Sequence, residues 1–160
     1  MLQIGRRWLI PVPAFAFDGA KSVLAIYTAA RYPLLVEAYS IGNGSAATSA
    51  QVRTVWSLET GGPSSGGTGI TPIALDAVVG GSPQFTAKYG TGSGTFDDTA
   101  NQENKAWASV YGLEHNPASP RSWLWLPAGS GPNTWHLRLL NTPTTTFNAD
   151  VQVIVQEIPA

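Results

Sequence analysis

Between Gln51 and Thr60 the chain alternates. Val52, Thr54, Trp56 and Leu58 fall on one side, and Gln51, Arg53, Ser57 and Glu59 on the other, with Val55 the only apolar exception. Successive side chains of a strand point to opposite faces, so this repeat describes a half-buried strand. It leads into Gly61-Gly62-Pro63-Ser64-Ser65-Gly66-Gly67-Thr68-Gly69, where no side chain can bury much surface, and then into the short apolar segment Ile70 to Asp76. The pattern predicts a strand, a flexible tip and a return segment.

The rest of the chain repeats this grammar. Ser22 to Thr28 and Leu34 to Ile41 are of strand length and rich in β-branched and aromatic residues, and Pro33 and Gly42 box in the second. Gln84 to Tyr89, Trp107 to Leu113, Arg121 to Leu126, Thr134 to Leu140 and Ala149 to Ile158 follow as further strands. With 17 glycines and 12 prolines, turns are frequent and long helices are disfavoured. About eight strands in a sandwich or barrel are expected. Thr95 to Lys105 is polar and acidic and reads as a surface loop.

In Ser122 to Leu126, Trp123 and Trp125 fall on one face and Leu124 and Leu126 on the other. Such a strand needs two partners. Either it lies centrally with a loop over one face, or one face packs on another subunit.

Residues 1–17 admit three readings. Arg6 and Arg7 precede an apolar run, which suggests a secretion signal, but Pro11 and Pro13 interrupt it. The segment is therefore expected as an extended arm lying on a neighbouring surface, ahead of one β-sandwich domain over 18–160. A first edge strand with its prolines toward solvent stands as the alternative.

Composition excludes several chemistries. There is no cysteine, hence no disulfide framework, thiolate nucleophile or cysteine-bearing zinc site. Charged residues make up 12% of the chain and nearly cancel to −1, about half the usual share of about 25%. That leaves no basic field for nucleic acid, and no membrane partner is expected either. So sparse a charge suggests a surface partly meant for assembly.

His115 and His136 lack metal-ligand spacing, and Gly92-Ser93-Gly94 lacks the strand–turn–helix setting of a nucleophile elbow. Asp97, Asp98, Asn101 and Glu103 could supply oxygens to calcium, but without the EF-hand order they read as a solvated loop. No catalytic residue, metal or cofactor is expected.

One resemblance goes further. It is carried by Arg53, Trp56 and Ser57, by Gly66-Gly67-Thr68, Thr71-Pro72 and Leu75-Asp76, and by Leu126-Pro127, Leu137-Arg138-Leu139 and Ala149-Asp150-Val151-Gln152-Val153. In these residues the chain resembles small structural proteins of tailed bacteriophages, found among head decoration proteins and related virion components. It departs from them at Ala128-Gly129-Ser130, where the pattern has Pro-Gly and an acidic or amide residue, and before Ser22.

The resemblance implies an all-β protein, a single antiparallel sandwich of jelly-roll type, without enzymatic turnover. It further implies a homo-oligomer, with a trimer as the expected order, that binds the major capsid protein lattice on the virion surface as a cement between capsomers. On that reading Arg6, Arg7 and Trp8 contact the lattice, and Trp123, Trp125 and Trp135 serve core or subunit packing. The alternative is a tail or fibre adhesin, a carbohydrate-binding sandwich whose tryptophans stack on sugars.

Overall fold

The computed structural model describes residues 5–17, 22–43, 51–60, 65–76, 81–92, 94–109, 111–128, 133–143 and 145–158. Among them are twelve strands: β1 (Arg7–Phe17), β2 (Leu24–Thr28), β3 (Leu34–Asn43), β4 (Gln51–Glu59), β5 (Gly66–Ile70), β6 (Ile73–Ala74), β7 (Phe85–Thr91), β8 (Phe96–Ala108), β9 (Leu113–His115), β10 (Leu124–Leu126), β11 (Asn133–Leu139) and β12 (Phe147–Glu157). They form two antiparallel sheets. The front sheet runs β10-β3-β12-β1-β6, with β9 also paired to β3, and the back sheet runs β5-β7-β2-β11-β4-β8.

The front sheet is built around β12. Phe147, Ala149, Val151, Val153 and Val155 point inward and are buried. On one side Trp8, Ile10 and Val12 of β1 stand in register with Val155, Val153 and Val151; on the other, β3 sets Val36, Tyr39 and Ile41 against the same three valines. In-register residues share a face, so three rows of apolar side chains run across the sheet.

The back sheet answers with Leu24 and Ile26, Val52 and Trp56, Phe85 and Ala87, and Trp135, Leu137 and Leu139. Three edge-to-face aromatic pairs join the layers: Trp8 with Phe85 at 6.4 Å, Tyr39 with Trp56 at 6.0 Å, and Trp107 with Phe147 at 5.9 Å. This geometry suits the ring quadrupole and adds about 0.5–1.5 kcal/mol per pair beyond the area buried.

Several sequence expectations are corrected. Residues 7–17, expected as an arm, are extended but belong to the sheet as β1, paired with β12 along most of its length. Among the described residues β6 covers only Trp8 and Leu9 on the other side of β1. Pro11 and Pro13 thus sit where β1 has a single neighbour, so a missing N–H costs the ladder little.

The segment after β4 does not return along it. β5 pairs with β7 and β6 with β1, while β4 lies between β11 and β8. Gly66, Gly67 and Gly69, expected in a flexible tip, belong to the exposed strand β5; residues 61–64 of that tip lie outside the described residues. The polar stretch expected as a loop is the edge strand β8, whose pairing with β4 slips twice.

Trp107 to Leu113 is split. β8 ends at Ala108 and β9 begins at Leu113, after a turn in which Gly112 takes φ 71°. A Cβ there would come within 2.4 Å of the Ile41 carbonyl oxygen, so only glycine fits. Of Arg121 to Leu126 only β10 is strand, preceded by a 3-10 turn at Pro120–Ser122.

The core yields a first expected outcome. Leu137, wholly buried and paired across β11 and β4 with Trp56, should cost about 2–5 kcal/mol when changed to alanine. The urea unfolding midpoint measures this. A shift no larger than that of an exposed change such as Thr86→Ala would show that the two sheets do not close on Leu137.

Candidate functional site

The six residues expected at interfaces do not share one location. Trp8 and Trp135 are 4% and 1% exposed and belong to the core, which corrects the expectation of Trp8 as a lattice contact and, of the two roles open to Trp135, places it in core packing. The Trp135 indole N–H donates to the Pro127 carbonyl at 3.2 Å. Both stand at inward positions of strands whose other face is outward, so alternation decides their fate. Trp123 is half-buried. Arg6 borders a cleft of about 240 Å³ with Tyr32, Gln84 and Glu157, and the buried Glu157 carboxylate accepts from the Gln84 N–H.

Arg7 and Trp125 share the outer face of the front sheet, three strands apart. Arg7 registers with Gln156, Gln156 with Leu35, and Leu35 with Trp125, so one row crosses four strands. The Arg7 guanidinium grips Glu37 of the same face through Nε at 2.9 and 3.0 Å and Nη2 at 2.7 Å. The hydrogen bond to Glu37 raises the Arg7 pKa above its ordinary value, with burial opposing, and the contact is a charge-assisted, forked one. The Arg7 backbone N–H donates to Asp76 Oδ2 at 3.1 Å.

The neighbouring row is apolar. Ile73 registers with Leu9, Leu9 with Ile154 and Ile154 with Ala38. Exposure is high for such residues: Ile73 51%, Trp125 44% and Leu75 40%. Beyond Ala38 the face opens into a groove of about 190 Å³ lined by Ala38, Ser40, Glu114, Asn116, Gln152 and Ile154. This outer face is the candidate functional surface.

Two internal polar networks, neither apparent in the sequence, take up the chemistry-bearing side chains. In the first, His136 Nδ1 lies 2.8 Å from Ser22 Oγ and its Nε2 lies 3.0 Å from Glu59 Oε2. A neutral imidazole satisfies both: Nε2–H donates to the carboxylate and Nδ1 accepts from the hydroxyl.

An acid, a histidine and a serine in sequence have the connectivity of a nucleophilic relay. Access decides otherwise. Ser22 is 3% exposed and His136 0%, with the Phe96 ring edge-on to the imidazole at 5.0 Å and the Arg138 guanidinium 4.3 Å above Phe96. A reacting carbonyl must approach within about 3 Å of the oxygen nucleophile, and this covering leaves it no room. The network instead ties the start of β2, the end of β4 and the middle of β11 together. Arg138 extends it to β8 through Ser57 at 2.8 Å and Asp98 at 2.7 Å.

The second network bridges the sheets. Glu103 of β8 adopts φ 47° beside the slipped pairing with β4. Its carboxylate takes the Tyr39 hydroxyl at 3.1 Å, Lys105 at 2.5 Å and His115 Nδ1 at 2.7 Å. The His115 ring stacks on Tyr39 at 5.1 Å. Burial pushes the Tyr39 phenol far above its ordinary value, with the charge of Glu103 adding to it.

The acidic residues considered for calcium are thereby dispersed. Asp97 accepts from Thr99, Asp98 meets Arg138 and Asn101, and Glu103 faces the front sheet. Among the described residues no three His, Asp or Glu side chains converge on one point.

The sequence carried one overlooked sign of the outer face. Leu9 and Ile154 occupy positions that alternation assigns to the solvent side, and each is apolar. The networks left no comparable sign, since their members are far apart in the chain.

Comparisons with protein-family models, with curated proteins and with solved structures find no match for this chain.

Both histidines have pKa values lowered from 6.5, mainly because burial disfavours the imidazolium; the neighbouring glutamates oppose this. The unfolded chain therefore takes up protons first as pH falls. Stability is complete above pH about 6.5 and declines below it, toward the lower folded values. Urea midpoints from pH 7.5 to 5 should fall, and His136→Gln should flatten part of that slope. A midpoint constant across the range would overturn this reading of the two networks.

Proposed function

We propose that this chain is a non-enzymatic structural subunit of a tailed-bacteriophage virion, a decoration or cement protein that sits on the capsid surface and stabilises the head between capsomers. The observation that carries it is the outer face of the front sheet, where Leu9, Ile154, Ile73, Leu35 and Trp125 lie on neighbouring rows beside the Arg7–Glu37 ion pair. Such a face is made for contact with protein. The resemblance in the β4, β5, β11 and β12 segments supplies the virion setting. The winding supports the jelly-roll-like reading: β1, β3 and β12 lie in one sheet, and β2, β4 and β11 in the other.

The mechanism is linkage. A subunit that binds the mature lattice and not its precursor stabilises the mature form by mass action, by about 2.7 kcal/mol per site at a hundred times the dissociation constant.

A carbohydrate-binding adhesin is the second reading, and one feature favours it. Trp125 shares the outer face with a groove whose lining is largely polar, the pairing of an aromatic platform with hydrogen-bonding groups that a sugar needs.

Heads made by the phage whose genome carries this chain provide the test. Purified protein should co-sediment with mature heads, not with precursor heads, and raise the temperature at which they break. Recovery with tails alone, or quenching of tryptophan fluorescence by a sugar together with no head binding, would replace the decoration reading with the adhesin.

A further inference from the structure

We infer that the cleft of about 240 Å³ bordered by Arg6, Tyr32, Gln84 and Glu157 is a binding site for a small zwitterion, an α-amino acid, whose carboxylate meets Arg6 and whose ammonium meets Glu157. Glu157 continues the inward series of β12, so the site lies on the opposite side of the front sheet from its outer face. The inference goes beyond the virion reading and does not rest on it.

The cleft is bordered by two opposite charges that face each other and do not meet. The Glu157 backbone N–H donates to the Arg6 carbonyl at 2.8 Å, one step beyond the Arg7–Gln156 register pair, so the two residues are cross-strand neighbours. Opposite charges so placed ordinarily close on each other, because their Cβ atoms are about 5 Å apart. Among the described residues, ion pairs form at Glu37, Glu59, Asp98 and Glu103, and none at Arg6 or Glu157. Their charged atoms therefore stand more than about 4 Å apart.

Backbone contacts hold each charge where it is. Glu157 is 5% exposed, and its Oε1 accepts from the Gln84 N–H. The Arg6 guanidinium lies against Gly81, where a Cβ would overlap it. The Gln84 carbonyl accepts from the Ala29 N–H at 3.1 Å, and the Pro33 carbonyl from the Ile158 N–H at 3.1 Å, so the segments carrying Gln84 and Tyr32 are tied to their neighbours. Nearby charges leave the pair unmatched. Asp76 accepts from the Arg7 N–H at 3.1 Å and forms no ion pair with Arg6, and Arg31, next to Tyr32, is exposed and does not border the cleft. A buried carboxylate without a counter-charge is destabilising, and a binding site is where a fold keeps one, because the ligand supplies the missing charge.

The same features select the ligand. An inorganic anion would satisfy Arg6 and be repelled by Glu157, and a metal ion the reverse. A neutral sugar would leave both charges without a counter-charge. An α-amino acid carries its two charges on adjacent carbons. Its carboxylate suits the planar fork of a guanidinium, and its ammonium brings three donors to the Glu157 carboxylate, with the Tyr32 hydroxyl and the Gln84 amide beside them. Size agrees with this: pockets for drug-sized ligands hold about 300–1,000 Å³, so the cleft suits a smaller molecule.

The test is a titration of the isotope-labelled full chain with L-alanine, followed by NMR. At up to about 20 mM, L-alanine should give saturable shifts at the Gln84 backbone amide and the Tyr32 ring. Acetate, which has only the carboxylate, and methylammonium, which has only the ammonium, should each bind at least about tenfold more weakly, and D-glucose should give no shift there. Arg6→Gln removes the anion receptor and should weaken L-alanine binding by a similar factor, as should Glu157→Gln. Should Glu157→Gln not fold, Arg6→Gln and the single-charge probes decide alone.

Absence of saturable shifts with L-alanine in the unmodified protein would overturn the inference. So would acetate or methylammonium binding as tightly as L-alanine, D-glucose binding at the same residues, or a folded Arg6→Gln variant that binds L-alanine unchanged.

Discussion

The pairing of the first strand with the last is the contact on which the sandwich depends. β12 lies between β1 and β3, so the first and last of the described strands form the middle of the front sheet. Trp8 meets Val155 and Phe17 meets Phe147. The closeness is visible at Gly5, where any Cβ would overlap the Glu157 carbonyl and no larger residue fits. Closing so long a loop costs entropy before any contact repays it. The repayment comes from three inward rows of β-branched and aromatic side chains. Without β12 in place, the inner side of β1 would keep, among the described residues, only Ala74 of β6 as an apolar neighbour in register, and that of β3 only Leu124 and Leu126 of β10 and Leu113 of β9. The back sheet would lose the surface on which Trp8, Tyr39 and Phe147 meet its own rings.

That closure also explains where the few charges go. A chain that is only 12% charged spends many of them internally or pairwise: Arg7 with Glu37, Lys105 and His115 with Glu103, Arg138 with Asp98, and His136 with Glu59. Buried carboxylates need such partners, because an unpaired buried charge costs several kcal/mol. The consequence for the exterior is a further dilution of free charge. The front face is left with few charges, Arg7 paired with Glu37 among them, and the two internal networks hold the back sheet and the seam together.

Alternation in the sequence was a sound guide wherever a strand has one wet and one dry face. β12 and the first half of β4 follow it closely, and β2, β7 and β11 lie where apolar runs between turn residues place them. It failed where a strand's neighbours decide its composition. β1 carries two prolines because it has one neighbour over most of its length, and so it resembles a free arm. β8 is polar because it is an edge strand with a slipped register, and so it resembles a loop. β5 is mostly glycine and has no side-chain pattern at all. Its pairing with β7, and that of β6 with β1, are choices of partner, which local periodicity does not encode. Trp8 was misplaced, and Trp135 was left between core and subunit packing, for a related reason: tryptophan suits a contact surface and a core equally well, and only the sheet to which each strand belongs tells which face is inside. The outer face was legible in principle, because Leu9 and Ile154 break the polar side of two alternating strands.

The treatment of the sheet edges narrows how molecules of this kind can associate. An open edge strand invites pairing with another chain, and natural sheets shorten, bend or charge their edges to prevent it. Here the front sheet ends in β6 on one side and in β9 and β10 on the other, two or three residues each. The back sheet ends in β8, with two register slips and several charged residues, and in β5, where Gly66 and Gly67 have φ 81° and 79° and leave the extended conformation. Backbone pairing between molecules is obstructed at all four borders. The outer face of the back sheet is occupied near its middle, where Phe96 and Arg138 cover His136. The outer face of the front sheet keeps Leu9, Leu35, Ile154 and Trp125 among polar neighbours, so the devices that keep the edges from pairing leave side-chain contact through a face, and not backbone pairing, as the open route for a partner.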